Sequence, residues 1–212
     1  MKIKKIIPPI FVVLFFILPI IVYPYLPNIV ASHWGIEGEV NGYMSKFWGL
    51  FFMPILSVIL YVLLLFLPKL DPYKKNFSEF QSHYDNFMIV IFGFLFYIHS
   101  LTICWNLNYH FNIVQFFSPA FSVLFYFTSI LISNTKPNWF VGIRTPWTMS
   151  SPIVWKKTHV LGGKLFKLVA LFSFFGVFFP SLAFYLLLIP IIFTVIFVFV
   201  YSYIQYSRYN QA

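Results

Sequence analysis

Two polar stretches hold most of the groups that could do chemistry. The first runs from Leu26 to Lys46 and places His33, Glu37 and Glu39 within seven positions, with Lys46 close behind. An imidazole and two carboxylates are a partial zinc ligand set, which His110 could complete. A plainer alternative makes the stretch a folded cap, its acids solvated and His33 hydrogen-bonded to backbone. In a third, His33, Trp34, Asn41, Gly42, Tyr43 and Lys46 form a recognition surface for an extracellular ligand, since ordered loops of glycine and aromatics suit that task. No spacing fixes ligand geometry, so no metal is assigned.

The second stretch is Asn138–His159, NWFVGIRTPWTMSSPIVWKKTH, richer in Trp, Gly and Pro than a connector needs. Arg144 brings five fixed donors beside Gly142 and Pro146. It can hold a structural or ligand contact, or reach out to lipid phosphate. His159 can titrate, or sit capped by hydrogen bonds. Within the apolar runs His99 is the one ionisable residue set deep, and no Asp or Glu shares its depth. Proton-coupled transport usually needs such carboxylates. No Ser/His/Asp order, HExxH, paired Asp or glycine-rich phosphate loop is present, so no catalytic residue and no cofactor are expected, and the chain is not read as an enzyme. Cys104, the single cysteine, allows no internal disulfide and reads as a small buried hydrophobe.

The elements that must carry these groups are membrane helices. Six apolar runs, Ile6–Tyr25, Phe47–Leu67, Phe87–Trp105, Ile113–Ile132, Leu165–Leu182 and Ala183–Tyr201, are each long enough to cross a hydrocarbon core of about 30 Å. A span without water must satisfy its own backbone, which selects helices. The last two runs share forty residues without a charge, Leu168 to Ser207, and Phe179-Pro180-Ser181 is the place to turn. The basic start, apolar stretch and Val30-Ala31-Ser32 mimic a signal peptide; the stretch is long and more spans follow, so a retained first helix is expected. The fold class is therefore all-α, a polytopic bundle of six transmembrane helices.

Charge sets the orientation. The formal net charge is +9. With the N-terminus cytoplasmic, Lys2, Lys4, Lys5, Lys69, Lys74, Lys75, Lys136, Arg144, Lys156, Lys157, Lys164, Lys167 and Arg208 lie inside and only Lys46 outside. That split follows the positive-inside bias, places both termini in the cytoplasm, and assigns the basic charge to anionic lipid rather than nucleic acid.

The chain is read as one integral membrane domain, 1–212. A helical hairpin with an outer loop fills 1–68, and a four-helix part, 87–212, holds the inner loop 133–164. Pro19, Pro54, Pro119 and Pro190 fall inside spans and predict kinks. Asn41-Gly42 is a turn signal, and Gly35 and Gly38 add bends. Ser151-Pro152 reads as N-cap and first residue of a short interfacial helix in the last cytoplasmic loop, ending near Gly162-Gly163.

Both loops resemble the SdpI family of bacterial membrane immunity proteins. The inner one carries Asn138, Gly142-Ile143-Arg144-Thr145-Pro146-Trp147-Thr148, Trp155-Lys156-Lys157-Thr158-His159 and Gly162-Gly163-Lys164. The outer one, with Pro27, His33-Trp34, Gly38, Asn41-Gly42-Tyr43 and Ser45-Lys46, resembles the N-terminal membrane domain of unknown function that often accompanies that family. The resemblance implies a six-span protein of the bacterial plasma membrane that confers resistance to a secreted antimicrobial peptide toxin. It also implies a small transcriptional repressor held at the membrane. A transporter or exporter of a small hydrophobic or peptide solute stays open beside it.

Overall fold

The computed structural model describes residues 2–210; the ends of the expected 1–212 domain, residues 1, 211 and 212, lie outside the described residues. Seven helices and one hairpin follow in the order α1 (Lys2–Val22), β1 (Ile29–Trp34), β2 (Val40–Ser45), α2 (Lys46–Leu70), α3 (Lys74–Asn106), α4 (Ile113–Asn134), α5 (Pro146–Ser150), α6 (Pro152–Phe175) and α7 (Ala183–Asn210). Six of them, all but α5, are long and apolar enough to cross a membrane. The chain is a polytopic helical bundle, as the apolar runs require. Pro19, Pro54, Pro119 and Pro190 all sit inside continuous helices.

Which side of each helix faces inward follows from 3.6-residue periodicity. On α3, Phe77, Phe80, Tyr84, Met88, Phe92, His99 and Ile103 are buried at steps of three, four or seven. The first five pack with Phe15 of α1, Leu64 of α2 and Leu131 of α4, and Ile103 packs in a second cluster with Val22, Leu26, Val30 and Leu50. On α7 the opposite face dominates: Ile189, Phe193, Ile196 and Val200 are exposed. Apolar surface on that scale suits a hydrocarbon solvent.

Three local expectations change. The third apolar run, Phe87–Trp105, is only the later part of its helix, because α3 begins at Lys74 and its first turns bury Phe77, Phe80 and Tyr84. Cys104 is exposed, not buried. It follows Ile103, which holds the inward side, so the thiol points outward. The helix that Ser151 and Pro152 start is not short. Ser151 caps it as expected, its side chain accepting from the Val154 amide, yet it runs through Gly162-Gly163 to Phe175. Those glycines are a packing contact with α4 rather than a stop. A β-carbon on Gly163 would meet Ser133 Oγ and stand 3.0 Å from the Ser129 carbonyl. Small residues let helix backbones approach this closely in membranes. The inner loop therefore ends at Ser151, and Lys156, Lys157, Lys164 and Lys167 ride on α6. The short helix of that loop is α5, one turn earlier.

The turn between the fifth and sixth spans falls where Phe179-Pro180-Ser181 predicts, in a 3-10 turn at Pro180–Leu182.

Candidate functional site

The hairpin closes one end of the bundle. Its strands pair antiparallel, Ile29 with Ser45, Val30 with Met44 and Ala31 with Tyr43, then slip twice so that His33 meets Gly42 and Trp34 meets Val40. The reversal lies at Gly35–Glu39, not at Asn41-Gly42. Gly35 N–H donates to the Glu39 carbonyl at 2.8 Å, and Gly38 takes φ +88°, open to glycine at no steric cost. Asn41 and Gly42 are instead part of β2, and the slip brings Asn41 Oδ1 to 2.5 Å from His33 Nδ1.

Asn106, the last residue of α3, anchors the hairpin. It accepts from the Ala31 amide at 2.7 Å and donates to the Ala31 carbonyl at 3.0 Å, occupying both backbone groups of an edge strand. Asn112 reaches the Glu37 carbonyl from the start of α4. Of the outer-loop candidates, His33, Trp34, Asn41 and Gly42 are brought together. Tyr43 is 64% exposed and points away. Lys46 leans on Tyr23, with its ammonium 4.9 Å from the ring centre and 3.3 Å from the carbonyl. Among the described residues no group of three His, Cys, Asp or Glu could hold a metal ion. His33 is bound to Asn41, and His110 packs edge-on against Trp105.

Under the hairpin lies a cavity of about 940 Å³. His33, Trp34 and Asn41 roof it, Trp48 and Phe52 of α2 wall one side, and α4 and α7 wall the other. This geometry follows from the packing. One group is α1, α2 and the hairpin; the other is α4, α6 and α7; α3 packs against members of both. His99 of α3, two turns before Asn106, lines the cavity. It is 1% exposed, and its Nε2 has no partner in the protein; nor does Trp34 Nε1.

The inner loop sits at the opposite end and is a self-braced scaffold. Asn138, fully buried, uses its whole amide: it donates to the carbonyls of Lys136 (2.8 Å) and Val141 (2.7 Å) and accepts from the amides of Phe140 (2.9 Å) and Val141 (2.6 Å). Gly142 has φ +125°, and a β-carbon there would run into His159 Nε2 and the Trp155 ring. His159 is buried and stacked on Trp155, ring centres 4.0 Å apart. Its Nε2 accepts from the Ile143 amide at 2.9 Å, so the proton belongs on Nδ1, which donates to the Trp155 carbonyl at 2.8 Å. Both ring nitrogens are thus committed. Trp155 Nε1 donates to the Thr135 carbonyl.

Thr145 and Thr148 form a reciprocal cap on α5, and Pro146 starts it, as a fixed φ suits. The Thr145 hydroxyl also lies 3.0 Å from Ser202 Oγ on α7. Trp147 packs edge-on against Phe199 and at a tilt against Tyr203, both on α7. Arg144 is exposed and bonds the Trp139 carbonyl through Nη1, within its own loop. One carbonyl is a lighter grip than the two-acceptor clamp a guanidinium can make.

Two anchors escaped the sequence. Asp71, fully buried, accepts from the Tyr73 amide (2.7 Å) and the Trp139 amide (3.0 Å), tying the α2–α3 turn to the inner loop. Asn76 donates to the Pro137 carbonyl at 2.8 Å. Asp71-Pro72 is itself a turn signal; its distant partner leaves no mark in the sequence.

Fold and site together define a six-span α-helical membrane protein with a hairpin cap at one end and an ordered polar loop at the other. Residues 134–202 match the family model described as SdpI/YfhL protein family, and residues 10–58 match the one described as Domain of unknown function (DUF1648). The two matched stretches contain the inner and outer loops that carry the resemblance. The Immunity protein SdpI of Bacillus subtilis (strain 168) is 26% identical over 176 residues, covering 81% of this chain and 82% of that protein. No solved structure matches.

Proposed function

We propose that this chain is a membrane immunity protein that captures a secreted, membrane-active peptide toxin at its hairpin end. The observation that carries it is the cavity under the hairpin, read beside the likeness to the Bacillus subtilis immunity protein. An amphipathic toxin acts by entering the bilayer, and a capped cavity between helices offers it a competing site. His33, Trp34 and Asn41 are the proposed contacts within the cavity, and Gly42, Tyr43 and Lys46 the proposed contacts outside it.

The proposed setting is the bacterial plasma membrane, hairpin outward and both termini cytoplasmic, on the thirteen-to-one charge split. Reporter fusions after Lys46 and Asn108 are expected to read outside, and fusions after Lys75 and Ser150 inside. A reversal at any two sites overturns the orientation. The inner loop then faces the cytoplasm and offers exposed Trp139 and Arg144 to a soluble partner such as a small repressor, on a scaffold that Asn138, Gly142, Trp147, Trp155 and His159 brace from beneath.

In a sensitive cell, substitutions at His33, Trp34 or Tyr43 are expected to lose protection at unchanged membrane levels. Substitutions at Trp155 or His159 are expected to release a cytoplasmic partner. Full protection by the outer set against a toxin that the unaltered chain neutralises removes the capture role. The same cavity favours export of a small hydrophobic or peptide solute as the second reading, which that result would promote.

A further inference from the structure

We infer that the cavity beneath the hairpin binds an apolar peptide segment through its backbone amide, with His99 as the residue that selects amide over hydrocarbon. The volume, about 940 Å³, lies at the upper end of the range for small-ligand sites. Its walls are rings and aliphatic chains: Phe52 from α2, Phe117 from α4, and Phe184 and Leu187 from α7. A lipid tail would fit such walls by shape alone. The polar atoms argue for something else.

Trp34 Nε1 is a donor only and has no partner in the protein. His99 Nε2 is likewise alone, and it donates or accepts according to tautomer. Both residues line the same cavity. A buried polar nitrogen without a partner is a standing destabilisation, and a hydrocarbon chain in the cavity leaves it in place. An ester supplies acceptors only. A peptide amide supplies both a carbonyl and an N–H, so it satisfies Trp34 and either tautomer of His99. His99 is also held from behind by Phe15 of α1, ring centres 5.8 Å apart, which fixes it at the wall.

The occupant's identity as part of a toxin rests on the immunity role proposed above; the amide preference does not. His99 should show a trade-off that a packing residue would not. Leucine fills similar space without an unpaired nitrogen, so His99→Leu is expected to raise the thermal midpoint while weakening binding. Glutamine restores a donor and an acceptor, so His99→Gln is expected to retain binding.

The test uses the full chain in lipid nanodiscs of phosphatidylglycerol and phosphatidylcholine. One probe is an acetylated, amidated hexapeptide of leucine and phenylalanine with one diazirine side chain; the other is an alkyl diazirine of matching length. The peptide probe should label the cavity walls near Trp34, Phe117 or Phe184, and excess alkane should not compete. His99→Leu should lower labelling about tenfold, the worth of one buried hydrogen bond, and His99→Gln by less. Equal labelling by the alkyl probe, absent labelling of the cavity, or unchanged labelling in a folded His99→Leu variant each overturns the inference. Protection assays separate the two ideas. If His99→Leu loses the peptide label yet protects cells fully, the amide site stands and its part in toxin capture falls. If the probe binds as expected but the unaltered chain protects against no peptide toxin, the site stands and the immunity role falls.

Discussion

Gly142→Val is expected to remove most of the folded protein from the membrane. Two costs coincide at this position. The backbone holds φ +125°, outside the reach of a β-branched residue without strain on the order of 1–3 kcal/mol. The new side chain also points into His159 Nε2 and the Trp155 ring. Displacing His159 breaks its bond with the Ile143 amide and leaves buried groups unpaired. The sum is about 4 kcal/mol, a large share of a typical stability. Thermal unfolding of detergent-purified protein, with membrane abundance beside it, measures the loss. Pro146→Ala, at the exposed start of α5, is the matched control and should cost far less. A Gly142→Val protein that unfolds within a degree or two of the unaltered chain would show that the inner loop does not need this backbone conformation.

Asn138→Asp, a change of one atom, is expected to be nearly as damaging. The native amide donates to two carbonyls and accepts from two amides while fully buried. A carboxylate keeps the two accepted bonds but turns the two donating contacts into an anion facing carbonyl oxygens. Leaving an uncompensated buried charge costs on the order of 3–5 kcal/mol. The pH dependence gives the sign. Burial and the facing carbonyls raise the folded-state pKa of the new acid above its unfolded value of about 4. The folded protein therefore binds the proton more tightly, and the penalty grows as pH rises from about 4 toward the folded value. Unfolding midpoints for variant and parent should lie closer together near pH 5 than near pH 8. A constant gap across that range would mean that the loop rearranges to admit water around residue 138.

The six spans were legible because a long apolar run admits few alternatives in a membrane. The inner scaffold was half legible. Gly142 and Pro146 announce a constrained backbone, and Ser151-Pro152 announces a helix start. Their partners Asp71 and Ser202 lie 68 positions before Trp139 and 57 after Thr145, and pairing at that distance leaves no local pattern. Elsewhere local signals misled. Asn41-Gly42 favours a turn, but Asn106 and the pairing of β1 with β2 hold it in a strand. Gly162-Gly163 looks like a helix stop until α4 is placed against it. The polar residues between Lys74 and Asn86 hide a helical face that only Phe77, Phe80 and Tyr84 mark. The cavity could not be read at all, since it belongs to the space between α2 and α7 rather than to any segment.

α7, like α3, joins the two ends of this molecule. α7 begins with Ala183, Phe184 and Leu187 in the cavity wall and later offers Ser202 to Thr145 of the inner loop. Eighteen residues of helix separate Phe184 from Ser202, a stiff rod of about 27 Å. Pro190 stands partway along it and deletes one backbone hydrogen bond, a natural pivot. A load on the Phe184 end of this rod would bear on the Thr145–Ser202 contact at the other. The strut that shapes the pocket is therefore also a lever arm whose far end rests on the inner scaffold.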